Sequence, residues 1–196
     1  EDGNRYLDAL AGIAVVALGH AHPGVAEIIS RQASTLVHTS NLYGIPNQKQ
    51  LAATLTAIAG MDNAFFANSG AEANECAIKI ARKYGHDKGI DNPALIVMDA
   101  SFHGRTLATL TATGSRKVHA GFEPLVEGFV RAPFDDLEAV RTIASNNPNI
   151  SAILVEPILG EGGVHVPADD YLAQLRAICD EHDWLLILDE VQTGNG

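Results

Sequence analysis

The sequence predicts an α/β fold, a mostly parallel sheet with helices on both faces. Two observations carry this. From Ala64 onward, short apolar runs alternate with stretches of helical periodicity, and the helical stretches are long enough to make the right-handed crossovers that parallel strands require. Several of the apolar runs also end in an acid, at Asp99, Glu156 and Asp189. The C-terminal edge of the strands is where open α/β sheets bind ligands.

In chain order, Tyr6 to Leu18 reads as a strand followed by a packed loop, broken by His20-Ala21-His22-Pro23-Gly24. The spacing of Val25, Ile28, Ile29, Ala33 and Leu36 predicts a helix over 24–37. A loop with Asn41, Tyr43, Gly44 and Pro46 follows. Asn47 is placed to cap a helix over 48–59, with Leu51, Leu55 and Ile58 on one stripe and Gly60 as its stop.

Ala64 to Ala67 reads as a strand, Asn68-Ser69-Gly70 as a turn, and 71–84 as a helix with Ala73, Ala77, Ile80 and Ala81 facing in. Strands are predicted over 94–98 and 152–155, and helices over 135–144 and 170–182. The four apolar residues Leu185 to Leu188 read as a last strand, buried on both faces. The chain opens on a turn signal, Glu1 to Asn4, and stops at Gly194-Asn195-Gly196 without a closing element. It is therefore expected to be a piece of a longer protein.

The bulk properties narrow the function. A formal net charge of -11 argues against a nucleic-acid footprint. No run has the length of a membrane span and no signal peptide is recognisable, which predicts a cytoplasmic protein away from membranes. Cys76 and Cys179 show neither CxxC nor zinc spacing, and His20 and His22 have no third ligand type beside them. No metal site is predicted, and the two cysteines read as buried free thiols.

The chemistry is expected around Leu185 to Gly194. A carboxylate at the end of a buried strand needs a cation, a metal or a full set of hydrogen bonds. For Asp189 three readings compete. A Mg-binding strand of a nucleotide hydrolase would need a glycine-rich loop ending in Gly-Lys, and none of the five lysines follows a glycine. A strand that happens to end in acids is the second. A cofactor with a basic ring nitrogen, such as pyridoxal phosphate, is the third.

Ser69 and Glu72 have the spacing of a capping box, and Gly70 beside the first helical turn suits an anion-binding helix start as well as a plain cap. The loop Ser101 to Thr106 offers Phe102 as a stacking face and Arg105 as a carboxylate clamp, or equally a core aromatic and a solvated arginine. Glu156 and Glu161 follow a strand among glycines that permit a tight loop.

Four motifs in order, NSGAEANE at Asn68 to Glu75, SFHGRT at Ser101 to Thr106, EPILGEGG at Glu156 to Gly163 and LDEVQTG at Leu188 to Gly194, resemble the class-III aminotransferases. Tyr6-Leu7-Asp8 and Gly19 to Pro23 match the family's opening pattern. Within the family the wording is most similar to members that act on N-acetylornithine.

The resemblance implies the type I fold of pyridoxal-phosphate enzymes. Residues 1–46 would form an N-terminal segment, part of the small domain and substrate loop, and 47–196 part of an incomplete large cofactor-binding domain. Gly70 and Ala71, with Ser69 beside them, would hold the cofactor phosphate. Phe102 and Val191 would cover the two faces of its ring. Asp189, next to Glu190, would pair with the ring nitrogen and Gln192 with the phenolic oxygen. Arg105 would clamp the substrate carboxylate, Glu161 would be a switching glutamate, and Asn41 and Tyr43 would approach the substrate.

Amino acid and 2-oxo acid substrates and a homodimer are implied as well. The amino group would pass from the terminal amine of N-acetylornithine to 2-oxoglutarate, in arginine biosynthesis. Ornithine, succinylornithine and 4-aminobutyrate remain alternative donors. The family's catalytic lysine comes after the DEVQTG stretch and has no counterpart at Lys49, Lys79, Lys83, Lys88 or Lys117. By this reading the 196 residues alone are inactive, and a non-catalytic cofactor-binding module is the reading from another class.

Overall fold

A computed structural model describes residues 2–195. The turn signals at Glu1 and Gly196 lie outside the described residues. The chain divides into two compact units, one reaching to Phe66 and the other spanning Ala67–Asn195.

The first unit is made of short helices. Tyr6 to Leu18 is not a strand: the chain is irregular up to the four-residue turn α1 (Ala11–Ala14). The reason is local. Asp8 Oδ1 accepts the N–H groups of Leu10 and Ala11 at 3.1 and 2.9 Å, and Ala11 to Ala14 all have positive φ. A side chain that bonds its own backbone bends the chain out of an extended path. The predicted helices are present as α2 (Pro23–Ala33) and α3 (Pro46–Ala59). Each starts with proline, whose missing N–H costs nothing at that position. Asn47 lies inside α3 and is not its cap, whereas Gly60 ends it in the left-handed conformation.

Ala64 to Ala67 also fails as a strand, because it pairs with no neighbour among the described residues. The second unit holds α4 (Gly70–Asp87), β1 (Ala94–Met98), α5 (Leu107–Ala112), α6 (Arg116–His119), β2 (Phe129–Ala132), α7 (Leu137–Asn146), β3 (Ile150–Val155), α8 (Tyr171–His182) and β4 (Leu185–Leu188). All strand pairs are parallel, in the order β2-β1-β3-β4. After β2 the chain crosses over β1 to the other side, so the topological switch lies between β1 and β3.

Alternation along the strands divides the core. Ala94, Ile96, Met98, Ile153 and Val155 pack under α7 and α8 with Val140, Tyr171, Leu175 and Ile178. Leu95 and Ala152 face Ile78 and Ala81 of α4, and Val97 and Leu154 face Ala112 of α5. β1 and β3 are thus buried on both faces, as continuous apolar runs require. β4 differs from the expectation. It is the edge strand among the described residues and only half-buried, with Leu188 41% exposed.

β2 and α5 were not visible as patterns. Arg131 interrupts the apolar run of β2 and turns its guanidinium to the C-terminal end of α5, where it donates to the carbonyls of Thr111, Ala112 and Thr113. The inward face of α4 is Asn74, Ile78, Ala81 and Gly85, one step round from the predicted stripe, and Ile80 points outward. Both cysteines are free, Cys76 half-buried and Cys179 buried. Burial pushes the Cys179 thiol up to about 11. No helix of the described residues is long and apolar enough to cross a membrane.

Candidate functional site

The C-terminal ends of β1, β3 and β4 and the start of α4 surround one cavity of about 280 Å³. Its lining includes Gly70, Ala71 and Asn74 of α4, Phe102 to Arg105 after β1, Glu156 after β3, and Asp189, Val191 and Gln192 after β4. It sits at the switch point, where the loops diverge and leave room.

α4 begins as its sequence demands. Ser69 is extended and its hydroxyl accepts the Glu72 N–H at 3.2 Å. The Glu72 carboxylate reaches back past the cap to the Asn68 N–H at 2.5 Å, one residue further than a capping box would take it. The N–H groups of Gly70 and Ala71 find no acceptor among the described residues. Behind them stands a helix of 18 residues, so an anion in the cavity would meet free donors and a favourable dipole. A Cβ on Gly70 would lie 2.7 Å from Cγ2 of Val191, so the absence of a side chain lets Val191 close over the helix start.

Asp189 follows β4, and its N–H continues the ladder to the Val155 carbonyl at 2.8 Å. The residue is only 7% exposed. Its Oδ2 takes hydrogen bonds from His103 Nδ1 at 2.7 Å and Asn74 Nδ2 at 2.8 Å, and its Oδ1 takes the Val191 N–H at 3.2 Å. Burial alone would raise this carboxyl, but the bond and charge of His103, with the Asn74 and Val191 donors, outweigh it and hold the group below the ordinary carboxylate value. The anion is therefore kept, on the cavity wall, without an arginine or a lysine among the described residues.

Glu156 is shifted the other way. Burial pushes its carboxyl up, the N–H groups of Phe102 and Gly160 and the nearby His103 oppose this in part, and the charge of Asp189 adds to the rise. Two carboxylates in one cavity thus have opposite tendencies, as is usual where acid and base roles are separated.

The other expected residues fall in different places. Phe102 is half-buried on the cavity wall and Arg105 is exposed at its rim. Gln192 lies against Gly160, where a Cβ would come within 2.0 Å of its Oε1. Glu161 is outside this cavity. It lines a neighbouring hollow of about 440 Å³ that also includes Phe102, Arg105 and Arg116. Ser69 spends its hydroxyl on the cap, and Glu190 is exposed and not part of the lining. Asn41 lies in the 3-10 turn Ser40–Leu42 of the first unit.

Asn74 and His103 had no role assigned from sequence. Asn74 bridges Asp189 and the His103 carbonyl, the latter at 2.9 Å. The available signal was the polar residue at the i+4 position from Gly70, on the face of the helix that starts the cavity.

The cavity fits a planar cationic ring carrying an anionic group. It has a held carboxylate, a flanking aromatic, an aliphatic cover at Val191 and free N–H donors at a helix start. Comparison with known proteins agrees. The chain matches the family Aminotransferase class-III over residues 1–196. It is 61% identical over 196 residues to the acetylornithine aminotransferase of Nitrosomonas europaea, covering 100% of this chain and 50% of that protein. Among solved structures it resembles the ornithine aminotransferase of Toxoplasma gondii ME49, with a TM-score of 0.93 and 37% identity over 98% of this chain and 46% of that one.

It also resembles the N-acetylornithine aminotransferase of Stenotrophomonas maltophilia K279a, with a TM-score of 0.80 and 36% identity over 95% and 46% of the two chains. The chain spans about half the length of the curated relatives it matches. On these grounds the chain belongs to the class-III aminotransferase family, whose cofactor is pyridoxal 5′-phosphate.

Proposed function

We propose that the full-length protein transfers the terminal amino group of N-acetylornithine to 2-oxoglutarate, a step of arginine biosynthesis in the cytoplasm, and works as a homodimer. The observation that carries the reading is the Asp189 carboxylate, buried, ionised and held by His103 and Asn74 at the end of a sheet strand. When bound, the cofactor supplies an electron sink for the pair released at the substrate carbon.

The residues of this chain prepare that chemistry. Asp189 would pair with the ring nitrogen and keep its proton in place, because a carboxylate held below its usual pKa stabilises a neighbouring cation. Gly70 and Ala71 present free N–H groups to the phosphate at the start of α4, with Ser69 fixing that start. Phe102 and Val191, on the cavity wall, would cover the faces of the bound ring and exclude water from them, and Gln192 would bond the phenolic oxygen. Arg105, at the rim, takes the substrate carboxylate through two parallel hydrogen bonds. Glu161, in the adjoining hollow, acts as the switch between a donor with one carboxylate and an acceptor with two. Residues 1–46 are the N-terminal segment, with Asn41 a substrate-binding residue of the full-length protein, and 47–196 supply part of the cofactor domain.

None of the residues that line the cavity is a lysine. A lysine to hold the cofactor and move a proton at the substrate carbon would therefore come from elsewhere in the full-length protein. The 196 residues alone do not transaminate.

The test is a donor panel on the full-length protein with 2-oxoglutarate, reading glutamate formed. N-Acetylornithine is expected to exceed ornithine, succinylornithine and 4-aminobutyrate in kcat/KM. A preference for one of the other amines would overturn the assigned donor. No glutamate from any of them would overturn the reaction.

A further inference from the structure

We propose that Glu156 is a positioning residue of this site, whose one carboxylate ties the loop that carries Phe102 to the loop that carries Glu161. Glu156 stands directly after β3 and is 4% exposed. Its Oε1 accepts the Phe102 N–H at 2.7 Å and its Oε2 accepts the Gly160 N–H at 3.2 Å. No lysine or arginine comes within 4.0 Å of it among the described residues. A carboxylate buried without a cation is costly, and here it also shares a cavity with Asp189. A neutral side chain of the same size would avoid that cost.

What a glutamine would lack is the second acceptor. Its amide offers one oxygen and one NH2 group, so it can satisfy only one of two converging N–H groups and would oppose the other. The carboxylate alone accepts from both loops together. Phe102 is thereby set against the cavity wall through its own backbone. Gly160 is set at the point where Gln192 packs on it, and Glu161 leaves the backbone from the next residue. One side chain thus coordinates the ring face, the phenolic-oxygen contact and the switching glutamate. This rests on the cofactor reading given above, and the positioning role is separable from it by experiment.

The experiment uses the full-length protein, freed of cofactor, with Glu156→Gln and Glu156→Ala beside the parent. Pyridoxal phosphate binding is titrated by fluorescence quenching, the circular dichroism band of the bound cofactor is recorded, and the far-ultraviolet spectrum and Tm are followed in parallel. Glu156→Gln is expected to keep the far-ultraviolet spectrum while its Kd for the cofactor rises roughly ten- to a hundredfold, the loss of one charge-assisted hydrogen bond. The cofactor band is expected to weaken or change shape, because the ring is no longer held in one orientation. Should Glu156→Ala fail to fold, Glu156→Gln, of the same size, carries the test. Parental Kd and an unchanged cofactor band in Glu156→Gln, with at most a lower Tm, would overturn the proposal and leave Glu156 a packing residue. Failure of the parent itself to bind would overturn the cofactor reading and this proposal with it.

Discussion

His103 Nδ1 lies 2.7 Å from Asp189 Oδ2, with the two side chains 0% and 4% exposed. The carboxylate can only accept, so Nδ1 carries the proton in this contact. The bond joins residues 86 apart in sequence, across the ends of two strands.

Removing the imidazole should therefore damage the site more than the fold. In His103→Ala of the full-length protein, Asn74 and the Val191 N–H remain as donors to Asp189, and its carboxyl is expected to rise towards protonation as burial regains the upper hand. We expect the Kd for pyridoxal phosphate to rise roughly ten- to a hundredfold, the range for a hydrogen bond to a charged group. Titration of the cofactor-free protein checks it. Binding as tight as the parent's would show that His103 is dispensable for Asp189.

The two cavity carboxylates should leave opposite signatures in stability against pH. Asp189 has a folded-state pKa below its ordinary value of 3.8, so its contribution is complete above pH 3.8 and lost as pH falls through the lower folded value. Glu156 is raised above its ordinary value of 4.5, so the protein is favoured by the protonated form and loses stability as pH rises from 4.5 through the folded value. The Tm difference between parent and Asp189→Asn should therefore shrink below pH 3.8. The difference between parent and Glu156→Gln should move against the parent as pH rises above 4.5. Differences that stay constant with pH would contradict both assignments.

How far these features were legible in the sequence follows from how locally each is determined. The bounds of β1 and β4 coincide with their apolar runs, and the stop of α3 with Gly60, because each depends on neighbours along the chain. β2 was hidden because Arg131 breaks its apolar run, and α5 because four of its six residues, together with its cap Thr106, are small or hydroxylated. Ala64 to Ala67 has strand composition but no partner strand among the described residues, and pairing is not written in composition. In the site, Asp189 was marked by its place after an apolar run. Asn74 was not, since its partner lies 115 residues away and only the fold brings them together.

Arg131 gives a prediction about stability alone. Its Nη2 donates to the Thr113 carbonyl at 2.8 Å and to that of Thr111, and Nη1 to that of Ala112 at 3.4 Å, satisfying carbonyls that the end of α5 leaves open. Arg131→Met keeps the apolar stem and removes the donors. Ser101 Oγ and His119 Nε2 still reach the Ala112 and Thr113 carbonyls, so we expect a loss of about 1–3 kcal/mol, the scale of one part-buried carbonyl, that of Thr111, left without a partner. Urea denaturation of the full-length protein checks it, and a change within about 0.5 kcal/mol, the ordinary range for a surface position, would mean that water replaces the guanidinium.

Gly70→Ala should separate stability from cofactor binding. In a first helical turn alanine is favoured over glycine by up to about 1 kcal/mol. The added Cβ would nevertheless stand 2.7 Å from Val191 Cγ2 and 3.1 Å from Cγ1, so Val191 must move. Val191 is more than half exposed and its loop has room to yield, and the fold should therefore tolerate the change, with a Tm close to the parent's. The cavity should not, because the aliphatic cover over the helix start is displaced and the N–H groups of Gly70 and Ala71 lose their protected approach. We expect roughly a tenfold loss of pyridoxal phosphate affinity, the scale of about 1.4 kcal/mol. The double variant Gly70→Ala with Val191→Ala frees the space again. If the steric account is correct, affinity in the double variant exceeds the value expected by adding the two single effects, since contacting residues are coupled. Strict additivity would mean that Gly70 acts through its backbone alone.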